Sequence, residues 1–101
     1  MCGAPDQAVA LPPGTDLSKE TVLAGRVVIG GEPVGGAFVR LLDGTGEFTA
    51  EVVSSASGDF RFFAAPGTWT VRALSRAGNG QSELTADGPG LHQVEVEVAA
   101  A

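Results

Sequence analysis

Between Val22 and Val98 the chain carries seven short β-type runs, and each is closed by a turn containing Gly or Pro. That rhythm leaves few folds open. Evenly spaced runs of strand length, with no helical periodicity between them, predict a closed or sandwiched antiparallel β domain. The first run, Leu23-Ala24-Gly25-Arg26-Val27-Val28, meets a turn at Gly30-Gly31-Glu32-Pro33, and the second resumes at Val34 and reaches Leu42. Phe48 to Ser54 and Asp59 to Ala64 follow, then Thr68 to Arg76 and a weaker, edge-type run from Gln81 to Ala86. The last run is the clearest, with Val94, Val96 and Val98 on one face and Glu95 and Glu97 on the other.

Alternation assigns the faces, because successive strand side chains point to opposite sides. Leu23, Gly25, Val27 and Ile29 share one side, as do Ala37, Val39 and Leu41, Phe60 and Phe62, and Trp69, Val71 and Ala73. Two sheets packed face to face would bury all of these sets. Between them, Asn79-Gly80 has the chemistry of a tight hairpin turn, and Pro66-Gly67 suits the central pair of a type II turn. The expectation is one seven-stranded antiparallel β-sandwich over residues 21–99. An extended N-terminal arm precedes it at 1–20 and a tail follows at 100–101. Pro5, Pro12, Pro13 and Gly14 interrupt the arm, and its apolar Val9 and Leu11 are placed to lie against the domain.

A chain of 101 residues with 44% apolar content makes one small domain with one core. At this size it buries about 60–65% of its unfolded surface. Its apolar runs are too short to span a bilayer as helices, and no basic segment leads into an apolar one at the N-terminus. The expectation is a cytoplasmic protein that engages no membrane. Twelve acids against six bases give a net charge of −6. The arginines are scattered, so nucleic acid is not an expected partner either. The lone cysteine forms no internal disulfide, which agrees with a reducing compartment.

The residue inventory excludes most catalytic chemistry. An intradiol dioxygenase iron site needs two Tyr and two His, whereas this chain has no Tyr and only His92. A hydroxyisourate hydrolase site, with several His and an Arg, fails for the same reason. An isopeptide crosslink needs a core Lys, and the sole lysine, Lys19, precedes the strands. No ligand spacing marks a zinc site, and no Ser sits on a strand-to-helix elbow to recruit His92. Gly30-Gly31 and Gly44-Thr45-Gly46 lack the following helix of a phosphate cradle. Glu95 and Glu97 read as a solvated strand face. The expectation is no enzyme, no catalytic residue, no metal and no cofactor.

Residues 22–98 resemble the carboxypeptidase-regulatory-like domains, a prealbumin-like β-sandwich group. The resemblance is carried by Gly25-Arg26-Val27, the run Pro33 to Leu41, Gly58-Asp59-Phe60-Arg61-Phe62 and Pro66-Gly67-Thr68-Trp69-Thr70-Val71. These motifs specify strand and turn geometry, so they imply a fold and no activity. The whole chain is similar to a family of small actinobacterial proteins labelled SseC-like, of unknown function. That match rests on Met1-Cys2-Gly3, the runs Gly36 to Asp43, Glu47 to Val53 and Gly58 to Gly67, Ala73-Leu74-Ser75 and Ala77-Gly78-Asn79-Gly80. It implies an accessory role in sulfur metabolism beside a thiosulfate sulfurtransferase.

Two candidate sites remain. Cys2, next to an N-terminal ammonium once Met1 is removed, would have its thiolate favoured, and the thiolate is the nucleophile. It is the candidate persulfide acceptor for sulfane sulfur, or else an incidental thiol. Phe38, Leu42 and Phe63 fall opposite their strands' core residues. They pack under a second layer or the arm, or they form an apolar patch for a partner or for self-association. In the alternative to sulfur carriage, the chain is a pure interaction module in which Cys2 has no role. A weaker alternative is a sandwich that binds a small ligand or carbohydrate, with Trp69 as the stacking platform.

Overall fold

A computed structural model describes residues 14–99, and Cys2 with most of the expected arm lies outside them. Eight strands follow one another: β1 (Thr21–Ile29), β2 (Glu32–Pro33), β3 (Phe38–Leu42), β4 (Phe48–Val53), β5 (Asp59–Phe63), β6 (Gly67–Ser75), β7 (Gly78–Ala86) and β8 (Gly90–Glu97). There is no helix among the described residues, and hence none long and apolar enough to cross a membrane. The first sheet has β1 at its centre, flanked by β2 and β5 and paired on its other side with β8. The second runs β4-β3-β6-β7.

The count is eight rather than seven because of β2. Gly30 and Gly31, with φ of 56° and 86°, complete a two-residue turn by themselves. Glu32 and Pro33 are then free to pair with Ile29 and Val28. Pairing is antiparallel throughout with one exception. β8 lies parallel to β1 from Thr21↔Gly90 to Val28↔Glu97. The hairpin between β6 and β7 also differs from expectation. Ser75 pairs with Gly78, so the loop is Arg76-Ala77, and Asn79 and Gly80 already belong to β7. Within residues 14–20 the chain turns, with the Lys19 and Glu20 amides donating to the Asp16 carbonyl at 3.0 and 2.8 Å.

The core lies between the sheets. Leu23, Val27, Phe60 and Phe62 from the first sheet meet Val39, Leu41, Val71 and Ala73 from the second, with Val96 and Val98 beside them. Phe60 and Phe62 stand 6.0 Å apart between ring centroids, at 56°. Two close approaches shape the β8 side. A Cβ built on Gly25 would sit 1.7 Å from the Val94 carbonyl oxygen, and one on Gly80 would sit 2.0 Å from that of Glu97. Bare glycine lets β8 and its tail come down on β1 and β7. The tail is then stitched to the second sheet by paired backbone bonds between Asn79 and Ala99, and Ser82 Oγ donates to the Glu95 carbonyl at 2.9 Å.

Buried polar groups are paired. Ser54 Oγ accepts from the Ala37 amide at 2.9 Å and donates to the Val34 carbonyl at 2.7 Å, which ties the β2–β3 connection to the end of β4. In the β3–β4 loop, Asp43 Oδ1 accepts from the Thr45 hydroxyl at 2.6 Å and from the Thr45 and Glu47 amides at 2.8 and 3.1 Å. These donors, the Thr45 hydroxyl foremost, hold the Asp43 carboxyl below its ordinary value of 3.8. The unfolded chain therefore takes up this proton first as the pH falls. The loop's contribution to stability is complete above 3.8 and is lost as the pH falls through the lowered folded value. Asp43→Asn keeps an acceptor oxygen but no titrating group. Stability measured by urea unfolding is expected to fall less steeply below pH 3.8 in this variant than in the wild type.

Candidate functional site

The outer faces of the two sheets are where function is to be sought. On the second sheet, pairing sets Phe38 between Val53 on β4 and Leu74 on β6, an apolar row across three strands. Phe38 is 51% exposed. It floors a groove of about 670 Å³ bounded by Val34, Gly35 and Gly36 on one side and by Ser75, Arg76 and Ala77 on the other. That size falls within the range of ligand and peptide clefts. The next row of the same face is charged. Arg40 and Arg72 are partners across β3 and β6. Arg40 Nε donates to Glu51 Oε2 at 2.7 Å, whereas Arg72 Nε and Nη2 reach only the neutral Gln81 Oε1, at 3.2 and 3.1 Å.

The first sheet presents a different surface. Phe63, 50% exposed, and Leu91, 42% exposed, flank Val22 at one end. Ala24 lies in the middle, and Arg26, between Asp59 and Glu95, closes the far end. Arg26 Nε and Asp59 Oδ1 are 3.8 Å apart. A smaller groove of about 420 Å³ is lined by Ala24, Arg26 and Arg61 on β1 and β5 and by Leu91, Gln93 and Glu95 on β8.

The three residues that alternation grouped are therefore not one patch. Phe38 and Phe63 point outward as expected, but from different sheets. Leu42 is buried, with 8% exposure. A register shift between Leu41 and Leu42 pairs it with Phe48 and leaves Thr49 as the extra residue. Phe48 is the most exposed of the phenylalanines, at 62%. The row's other members, Val53 and Leu74, went unremarked in the sequence, because only the pairing of β3 with β4 and β6 puts them beside Phe38. The candidate acceptor Cys2 is outside the described residues.

His92 Nε2 lies 2.8 Å from the Gly88 carbonyl. Trp69 is half-buried against the core, and its Nε1 donates to the Ala65 carbonyl at 2.9 Å. Among the described residues, no three His, Cys, Asp or Glu side chains converge as metal ligands would.

Solved structures share the architecture. A DUF3823 family protein from Parabacteroides merdae superposes with a TM-score of 0.62 at 18% identity, over 81% of this chain and 47% of that one. Catechol 1,2-dioxygenase from an Acinetobacter species superposes at 0.61 with 11% identity, over 97% and 59%. Likeness at such identity shows the β-sandwich fold alone. With no tyrosine and one histidine, this chain lacks the residues for the iron of an intradiol dioxygenase.

Sequence relatives are much closer. The uncharacterized protein Rv0814c of Mycobacterium tuberculosis is 63% identical over 99 residues, covering 97% of this chain and 99% of its own length. An uncharacterized protein of Mycolicibacterium smegmatis is 70% identical over 90 residues, covering 88% of this chain and all of its own. A family model described as a protein of unknown function, DUF1416, matches residues 2–98. The chain belongs to the DUF1416 family.

Proposed function

We propose that this chain is a non-catalytic docking module of sulfur metabolism, working in the cytoplasm as a partner of a thiosulfate sulfurtransferase. The observation that carries the docking part is the apolar row Val53-Phe38-Leu74, with a half-exposed phenylalanine over a groove, on a domain whose inventory offers no catalytic constellation. Exposed apolar rows on small domains mark contact sites more often than chemistry. The sulfur part is supported by the resemblance to the SseC-like proteins. Phe38→Ala removes exposed ring surface without opening the core. It is expected to abolish co-elution with the sulfurtransferase while leaving the thermal midpoint within a few degrees of wild type. Co-elution that survives Phe38→Ala would remove the docking reading.

A second reading assigns Cys2 a carrier role, and it is favoured by the reach of the family match down to residue 2. The Cys2 thiolate would attack the outer sulfur of the enzyme's persulfide. A new S–S bond forms on Cys2, the enzyme's S–S bond breaks, and its thiolate leaves, with no net oxidation. Incubation with thiosulfate and the sulfurtransferase is then expected to add one sulfur atom to the intact mass. The addition should be reversible by a reductant and absent in Cys2→Ser.

A further inference from the structure

The cations around the Phe38 row say what kind of partner segment fits it, an inference that rests on the docking reading. Arg72 and Leu74 alternate on the outer face of β6, and Arg76 follows in the next turn, lining the same groove as Phe38 and Leu74. A cation therefore stands on each side of the apolar row. Neither forms an ion pair with an acid among the described residues. Arg72 holds only the Gln81 amide oxygen, and the Arg76 side chain has no hydrogen-bond or ion-pair partner among the described residues. Among the described residues, the acids of this face form no ion pair with either arginine. Glu51 is paired with Arg40, and Glu83, one row beyond Arg72, makes no ion pair within 4.0 Å. On a chain of net charge −6, this face sets two arginines without an ion pair among the described residues around an apolar row.

We infer that this face receives an extended acidic segment of a partner protein. The segment bears an apolar residue for the Phe38–Leu74 groove and a carboxylate two positions to either side for Arg72 and Arg76. The two-residue spacing follows from the strand period, since Arg72 and Leu74 are themselves two apart on one face. Guanidinium–carboxylate pairs would set register and orientation, while burial of the central side chain supplies most of the affinity.

The test uses the peptide Thr-Glu-Thr-Leu-Thr-Glu-Thr and its counterpart with both Glu replaced by Gln, titrated into isotopically labelled full-length protein and followed by NMR. The acidic peptide is expected to shift the signals of Phe38, Leu74, Arg72 and Arg76, and to bind about tenfold more tightly than the Gln peptide at low salt. The advantage should vanish in R72Q/R76Q and in about 0.5 M salt. Equal affinities, no binding, or shifts centred on Phe63 and Leu91 would overturn the inference. So would a dimer in sedimentation that Phe38→Ala dissolves, because a second copy would then occupy the row. The two levels of the argument separate cleanly. Co-elution with the sulfurtransferase that fails in Phe38→Ala but persists in R72Q/R76Q keeps the docking reading and overturns the acidic segment.

Discussion

Gly25→Ala is expected to destabilise the domain by about 3 kcal/mol or more, which for a domain of this size is a large part of its whole stability. The added methyl would lie 1.7 Å from the Val94 carbonyl oxygen and 2.9 Å from the Phe60 ring. Val94 is backbone and Phe60 is core, so neither can step aside at small cost. Relief would require β8 to lift from β1, breaking the parallel ladder along its length. Gly44→Ala is the matched control. Its Cβ would meet only the Thr68 carbonyl oxygen, at 3.8 Å, an ordinary contact. Urea unfolding of both variants decides the matter, and a Gly25→Ala protein as stable as Gly44→Ala would refute this account of the β1–β8 contact.

Phe60→Ala is the second large effect, expected to cost about 3–5 kcal/mol. Phe60 is among the largest fully enclosed side chains of the domain, and its removal would leave a void between Phe62, Leu23 and the second sheet. The cost should be paired with Gly25, because the Phe60 ring fills the space over that glycine. In a double-mutant cycle, Phe60→Leu is expected to relieve part of the Gly25→Ala penalty, so that the two changes do not add. Additive effects in that cycle would mean that the Val94 backbone alone sets the clash.

Much of this architecture was written in the alternation of side chains. Leu23 and Val27, Phe60 and Phe62, and Val96 and Val98 are inward as their spacing indicates, because a half-buried strand must sort its side chains by face. Alternation carries no sign of strand direction, so the parallel run of β8 beside β1 was invisible to it. Nor does it say to which sheet a strand belongs. Phe38 and Phe63 therefore looked like neighbours although they sit on opposite outer faces. Asn79-Gly80 misled for a related reason. Gly80 is glycine because the Glu97 carbonyl comes down on it from far along the chain, and local turn chemistry has no access to that cause. The candidate site was legible only as its central member. Phe38 could be read as outward, but Val53, Leu74 and Arg76 join it through pairing between strands distant in sequence.

The pairing of β1 with β8 also bears on how the chain reaches its native state. Thr21 and Gly90, partners at the start of that ladder, are 69 residues apart. Closing so long a loop costs entropy before any contact rewards it, and parallel pairing over such a distance is slow to form. During synthesis, the central strand of the first sheet waits with one edge open until residues 90–97 have left the ribosome. In the second sheet β3–β4 and β6–β7 are local hairpins, and its last strand is in place once Ala86 has emerged. The domain is thus completed from its last residues, and its earliest strand is the one left longest without its partner.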